Sequence, residues 1–450
     1  MNFYIPIEIK NRDYLSRLLI AYYALDKGYQ VYLGSKSKID TFVKTSEPGI
    51  YLGLVTTKTY SKFYENLKKR NFKIFVSDEE GLITFDDKMY LDLKVSKESL
   101  ENIEILFTWG HEHKEIISKK FPQFSPKIIS TGTPRFDLFN KMLRDIFNAK
   151  VEKIQDKFGE FTLICGSFSF VNHFTKNLNY LEVLKNQKVI KDNKDERRFL
   201  KYCKYNKQSF ENFIYLTKNL SKSHPNHNFI FRPHPAENKD IYKEKFQNYK
   251  NIFVEDKHTL IEWIMASKCI VHSYCTSSIE AFLVDKARFG LKENFDPEVH
   301  KTIPYEFSNI SENVSDLIKT ISEFIENKKK FNNIEFKVSD NFKKYVSNTS
   351  NEMSSDRIVN KIHDLFPPYL QSSSFTFNHL KYRFLNVIRD LKSLIYIYND
   401  SYRKHKIYLK HKIGYIYLEE IKKDLNFLNK KKLPLRVKKI DKNIFFLKRI

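Results

Sequence analysis

The sequence predicts an α/β protein of two Rossmann-like domains followed by a basic helical C-terminal extension. Three observations carry this. Short β-rich runs alternate with amphipathic helical stretches over the first 150 residues, and a second series of the same kind opens at FTLICGSFSF (161–170). Strands alternating with helices of this length indicate parallel, doubly wound sheets. The charge is also uneven: the chain carries a net +24, and residues 371–450 hold 20 Lys and Arg against 6 Asp and Glu.

In the first series, FYIPIEI reads as a strand and residues 13–28 as a helix closed by Gly28. YQVYLGS, GIYLGLV, FKIFV, IEILFTWG and KIISTG supply the further strands, with helices at 38–47 and 57–70 between them. The second series continues through a long polar helix at 193–222, the strands NFIF, NIFVED and KCIVHSY, and helices at 259–267 and from Ser277. These readings divide the chain into a first domain at 1–150, a second at 155–366 and an extension at 367–450. Two such series in tandem are the layout of a two-domain GT-B-like enzyme, whose active site is expected in the cleft between domains. The segment 331–366 is expected to pack back as helix. Apolar residues at helical spacing from Leu380 to Ile395, interleaved with Lys and Arg, predict a basic helical appendage over 376–428.

Composition narrows the function. An aromatic fraction of 15% and a hydrophobic fraction of 41% belong to a globular chain. Four cysteines without a CxxC pair read as reduced thiols in a reducing compartment. The N-terminus lacks a charged leader pattern and the longest clean apolar stretch, Leu18 to Leu25, is too short to span a bilayer. A cytoplasmic protein is therefore expected. The basic tail points to a polyanion, and peripheral contact with an anionic membrane is the expected partner. The charge alone also fits a basic nucleic-acid-binding protein, the alternative from another class, but basic and aromatic residues do not interleave as in a nucleic-acid reader and no nucleic-acid partner is expected.

In open α/β sheets, chemistry collects in the loops at the carboxyl ends of strands. Asp78, Glu79 and Glu80, followed by Gly81, come directly after the strand FKIFV. Clustered carboxylates raise one another's pKa, which suits a general base; the other reading is a solvated turn. Arg232-Pro233-His234-Pro235 follows NFIF, and the prolines fix the direction in which His234 is presented. Arg232 and His234 together suit a phosphate or nucleotide. The run from His272 to Glu280 enters a helix through Thr276, Ser277 and Ser278, hydroxyls that either cap the helix or hold an anion. Glu280 on the first turn suits ribose hydroxyls. Arg135 in the loop after KIIS, and Ser167 and Asn172 in the loop after TLIC, are expected to face the cleft, although Arg135 also reads as a loop stabiliser. No cluster of metal ligands and no P-loop, HExxH or G-x-S-x-G pattern is present.

The ordered set SDEEG, FTWG, TGTPRFD, SFSFVNH, FRPHPAEN and HSYCTSSIEAFL resembles the bacterial surface carbohydrate biosynthesis protein family, a GT-B-like group, over roughly residues 1–330. Asparagine-containing turns usual in that family read Gly132-Thr133-Pro134 and Cys165-Gly166-Ser167 here. Glu79-Glu80-Gly81, His234-Pro235 and Ser277-Ser278 are also similar to the D/E-D/E-G, HP and Ser-Ser/Thr motifs of bacterial sialyl- and polysialyltransferases. That resemblance implies that Glu79 activates the acceptor hydroxyl and that His234 and the serine pair hold a CMP leaving group. The expectation is a glycosyltransferase of capsule or O-antigen synthesis. It would move a nonulosonic acid or Kdo from a CMP-linked donor to a glycan, with no metal or other cofactor. A UDP-sugar or CDP-glycerol donor is the alternative.

Overall fold

The computed structural model describes residues 1–81, 87–174, 179–293, 295–296, 300, 302–328, 340–348, 352–368, 382 and 412–450. The chain forms two compact units, one of residues 1–81, 93–146 and 340–450, the other of 82–92 and 147–339.

The first unit is built on an eight-stranded sheet. Its parallel part comprises β1 (Asn2–Ile7), β2 (Gln30–Ser35), β3 (Gly49–Gly53), β4 (Lys73–Ser77), β5 (Ile105–Thr108) and β6 (Ile128–Ser130), in the order β2-β1-β3-β4-β5-β6. β1 and β3 to β5 are buried along nearly their whole length, as parallel strands covered on both faces must be. The helix Lys10–Asp26 returns the chain from β1 to β2. It ends at Gly28, whose φ of +89° is the left-handed conformation a helix terminus uses.

The second unit carries a six-stranded parallel sheet: β7 (Phe161–Cys165), β8 (Asn228–Arg232), β9 (Ile252–Val254), β10 (Cys269–His272), β11 (Ala287–Leu291) and β12 (Asn309–Ser311). The order is β12-β11-β10-β7-β8-β9. Numbered within the unit, this is 6-5-4-1-2-3, the doubly wound Rossmann order, whose switch point lies between β7 and β10. The 31-residue helix Asn193–Ser223, N-capped by the Asp192 carboxylate, lays Phe213, Leu216 and Leu220 against Phe229, Phe231 and Phe289 of the sheet.

Three expectations change. Residues 340–366 belong with the first unit, not with a domain at 155–366. The reason is Asp137, whose buried carboxylate accepts from Ser354 N (2.8 Å), Ser355 N (2.7 Å), Ser355 Oγ (2.7 Å) and Asn348 Nδ2 (2.8 Å). It satisfies amides that the start of the helix Ser354–Leu365 leaves without intrahelical partners. The tail, read as helical throughout, contains the helix Leu418–Leu428 but ends in a hairpin of β13 (Leu435–Asp441) and β14 (Ile444–Arg449). β14 pairs antiparallel with β2 and buries Ile444, Phe445 and Leu447 completely. The predicted helical face from Leu380 to Ile395 lies outside the described residues. Finally, residues 87–92 cluster with the second unit although 1–150 was expected to be one domain.

Candidate functional site

Each sheet presents one group of the predicted residues at the carboxyl ends of its strands. In the first unit the group is a network of charges. Glu79, two residues beyond β4, is 3% exposed and its Oε1 accepts from Arg17 Nη2 at 2.7 Å. Arg17, on the second turn of the helix after β1, is fully buried and also donates to Ser77 O at 3.2 Å. Glu79 Oε2 and Arg17 Nε and Nη1 have no hydrogen-bond partner among the described residues. Burial pushes the Glu79 carboxyl up, while Arg17 pulls it down and Asp13 pushes it up further. Asp13 is itself fully buried and accepts from Ile9 N (2.9 Å) and Arg12 Nε (2.5 Å).

The neighbouring carboxylates behave differently from Glu79. Glu80 is half exposed and lies between Lys94 Nζ (2.5 Å) and Arg12 Nη1 (2.8 Å). Burial works to raise its carboxyl, but Lys94 and Arg12 together hold it well below the ordinary range. Asp78 turns back on the backbone: its Oδ1 accepts from Glu80 N at 2.8 Å and its carbonyl from Trp109 Nε1 at 2.6 Å. The expectation that three adjacent acids raise one another is therefore corrected. Glu79 is raised mainly by burial, and Glu80 is lowered by cations. Gly81 is required for packing, since a Cβ there would fall 2.0 Å from the buried His113 ring. Arg135 lies 5.2 Å from the centroid of the Trp109 ring, and its charge lowers Glu79.

The group in the second unit surrounds the switch point between β7 and β10. Arg232 closes β8, beside β7 in the sheet. Its Nη2 reaches His258 O only at 3.5 Å, and its buried Nε has no hydrogen-bond partner among the described residues. His234 is exposed, and its Nδ1 accepts from Ala236 N at 3.2 Å, which holds the imidazole within the rigid turn. The loop after β7 starts with Gly166, where a Cβ would fall 1.9 Å from the Phe168 ring. Ser167 is partly exposed, whereas Asn172 is buried and donates to Asn238 O at 3.0 Å. Asn172 thus ties the β7 loop to the β8 loop.

Beyond β10, Thr276 is the N-cap of the seven-residue helix Ser277–Leu283 but makes no side-chain cap bond. Ser277 and Ser278 are buried. The Ser277 hydroxyl lies 2.6 Å from Cys275 Sγ and Ser278 Oγ donates to Cys275 O at 3.1 Å, so neither caps the helix in the way the sequence suggested. Glu280 is buried on the first turn. His272, fully buried between Ser273 O and Ser308 Oγ (each 2.6 Å), is pushed down by burial to about 4 and stays neutral. All four cysteines are free, and burial pushes Cys203 and Cys275 up to about 11 and Cys269 to about 12, which leaves them poor nucleophiles.

Sequence reasoning missed Arg17, Asp13 and Glu237. Glu237 is 3% exposed and accepts from Phe168 N (2.6 Å) and from the Tyr242 hydroxyl, joining the loops after β7 and β8. Burial pushes its carboxyl up to about 8. The signal was present, because an acid three residues after His234 sits inside the motif FRPHPAEN. Among the described residues, no group of three or more His, Cys, Asp or Glu side chains gathers as metal ligands, and no helix is long and apolar enough to cross a membrane.

No protein-family model and no curated sequence matches the chain. Solved structures do. The chain resembles the UDP-GlcNAc 2-epimerase of Methanocaldococcus jannaschii in complex with UDP-GlcNAc and UDP, with a TM-score of 0.51 and 15% identity over 81% of this chain and 100% of that one. It resembles S. aureus MnaA bound to UDP with a TM-score of 0.50 and 12% identity, over 83% and 98%. A variant of the wall teichoic acid polymerase TagF with CDPG follows, with a TM-score of 0.49 and 14% identity, over 81% and 88%. The chain has a GT-B-like fold. At these identities the likeness is one of fold alone.

Proposed function

We propose that the protein is a glycosyltransferase of bacterial surface-polysaccharide synthesis that binds a nucleotide-activated sugar on its second unit. One observation carries the reading. Arg232, with a buried nitrogen lacking any partner among the described residues, stands with Ser167, His234 and Thr276 at the carboxyl ends of strands around a Rossmann switch point, where such sheets hold nucleotides. The GT-B-like fold supports it.

The acceptor hydroxyl gives its proton to a carboxylate as its oxygen bonds to the anomeric carbon. The bond from that carbon to the phosphate oxygen breaks, and the nucleotide leaves with the electron pair. Glu79 is assigned as the base. Burial raises its affinity for a proton, and Oε2 is the oxygen left without a partner among the described residues. Glu80 suits the role poorly because two cations hold it ionised. Arg232 and His234 meet the charge developing on the phosphate. Ser277 and Ser278 join them only by giving up their bonds to Cys275. Glu280 is assigned to the ribose, and Arg135 to holding the Glu79 loop.

The donor is proposed to be a CMP-linked acidic sugar, on the strength of the His234-Pro235 and Ser277-Ser278 pattern. A UDP-sugar is the second reading, favoured by the fold likeness to proteins seen with UDP. A thermal-shift panel of CMP, CDP, CTP, UMP, UDP and GDP separates them. A hundredfold excess over Kd stabilises by about 2.7 kcal/mol, enough for a shift of about a degree or more. A CMP shift abolished by Arg232→Met and His234→Ala is the expected result. Preference for UDP moves the donor to a UDP-sugar, and silence across the panel removes the transferase reading.

A further inference from the structure

Two of the most exposed aromatic side chains of the described residues stand together on the functional face of the first unit. Tyr415 is 49% exposed and Tyr417 63%, their ring centroids are 6.0 Å apart and their planes lie within 25° of each other. Ile416 between them is buried, so the backbone alternates and turns both rings outward. The segment is fixed: Ile416 N donates to Asn443 Oδ1 and Asn443 Nδ2 to Gly414 O, each at 2.9 Å. Lys10 Nζ donates to Tyr415 O (2.6 Å) and to Glu420 (2.7 Å).

These anchors place the pair at the carboxyl ends of β1 and β2. Lys10 opens the helix after β1, and Asn443 lies at the hairpin turn whose next residue, Ile444, faces Gly34 near the end of β2. Charge contacts continue inward from there. Lys412 meets Glu8 at 3.6 Å, Glu8 meets Arg12, and Arg12 bonds Glu80 beside Glu79. The tyrosines thus stand on the same face as the proposed base, joined to it by a chain of ion pairs within one unit.

A large aromatic surface costs free energy in water unless something covers it. Lysine ammonium groups lie over the rings, 4.1 Å from the Tyr415 centroid (Lys442) and 5.7 Å from that of Tyr417 (Lys10), and the two residues still remain 49% and 63% exposed. An anionic lipid surface fits poorly, because Tyr417 N donates to the Glu420 carboxylate at 3.4 Å and Glu419, two residues beyond Tyr417, is 80% exposed. A pyranose chain fits both features. Its C–H faces lie on rings, and its hydroxyls take hydrogen bonds from ammonium groups and give them to carboxylates. We propose that Tyr415 and Tyr417 form a sugar-stacking platform for an oligosaccharide. It serves as a subsite for the acceptor glycan, an assignment that rests on the transferase reading, whereas the platform itself does not.

The test is binding of the full-length protein to oligosaccharides released from bacterial capsules and O-antigens, with phosphatidylglycerol vesicles as a second arm. The wild type should bind at least one glycan. Tyr415→Ala and Tyr417→Ala should each weaken that binding about tenfold. Tyr→Phe at either position should preserve it, and all variants should keep the nucleotide thermal shift. Three results overturn the platform: a wild type that binds no glycan, alanine variants that bind glycan unchanged, or ring-dependent binding to vesicles but not glycan. Its failure is separable from that of the transferase reading. Ring-dependent glycan binding without any nucleotide shift sinks the transferase and leaves the platform. A nucleotide shift with ring-independent glycan binding does the reverse.

Discussion

The two units share a doubly wound architecture, yet the loops at their strand ends differ in electrical character. In the first unit the loop after β4 is pinned by ion pairs: the buried pair of Arg17 with Glu79, Arg12 with the buried Asp13, and the half-exposed Glu80 between Arg12 and Lys94. In the second unit the loops are held by hydroxyls, amides, the neutral His272 imidazole and the Glu237 carboxyl that burial raises to about 8, with Arg232 only weakly bonded. The contrast suits the two tasks proposed for these loops. A carboxylate held against a buried arginine has a proton affinity set by the protein, as a base requires. An arginine whose bonds are incomplete is ready for an external anion, as a phosphate site requires.

The largest effect should come from breaking the buried pair. Glu79→Gln should lower turnover by about 100-fold or more, the range for losing a general base. It should also destabilise the first unit by about 3–5 kcal/mol, because Arg17 is left charged and buried without its partner. The double variant Arg17→Met, Glu79→Leu should regain most of that stability and none of the turnover. Each unit has one tryptophan, Trp109 in the first and Trp263 in the second, so Trp263→Phe lets fluorescence follow the first unit alone during urea unfolding. Restored turnover in the double variant would show that Glu79 serves only the architecture. Arg232→Met should leave the second unit within about 1 kcal/mol of wild type, as expected for a partly exposed, weakly bonded side chain.

Acid should divide the units next. Burial depresses His227, His272 and His300 of the second unit to about 4. Unfolded histidines take up a proton near 6.5. The unfolded state therefore binds more protons between about pH 6.5 and 4, and stability falls as pH drops through that window, by up to ~3 kcal/mol per histidine. Glu237, raised to about 8, acts the other way, gaining stability as pH falls toward 4.5, but three groups outweigh one. In the first unit Glu80 is depressed, so its contribution is lost only below its unfolded value near 4.5, while Asp137, raised to about 6, favours mild acid. On acidification from pH 7, the Trp263 unfolding midpoint should fall before that of Trp109. Coincident loss of both would show that the histidines do not set the acid limit.

The strands carrying the candidate loops were legible because a buried parallel strand leaves an unbroken apolar run, as in KIFV, FTLIC and CIV. β11 escaped notice because Arg288 interrupts it, although that arginine is fully buried and donates to Phe307 O. The closing hairpin was hidden by its lysines, which read as part of a basic helical extension because only β14 carries a buried apolar run. The loops themselves were found, but their internal pairing was not. Arg17 meets Glu79 across 62 positions of sequence, and no local pattern announces that contact. Nor does spacing reveal that the Ser277 and Ser278 hydroxyls turn toward Cys275.

A third comparison concerns the edge of the first sheet, which the basic tail forms. Removing everything beyond Phe366 looks harmless from sequence, but it strips β14 from β2 and uncovers the Ile444, Phe445 and Leu447 positions of the core. Substitution on β13 avoids this. Arg436, Lys438 and Lys439 are exposed on this outermost strand, where charged side chains also discourage pairing with a second sheet. If the tail meets an anionic membrane, each contributes about 1 kcal/mol, so Arg436→Glu, Lys438→Glu and Lys439→Glu together should weaken binding to phosphatidylglycerol vesicles at low salt by at least about 100-fold. Fold and nucleotide response should be unchanged, since none of the three side chains is buried. Neutral phosphatidylcholine vesicles should bind neither protein. Wild-type protein that ignores the anionic vesicles would make β13 a solubilising edge, and the basic charge would then serve the first unit's own sheet and not a membrane.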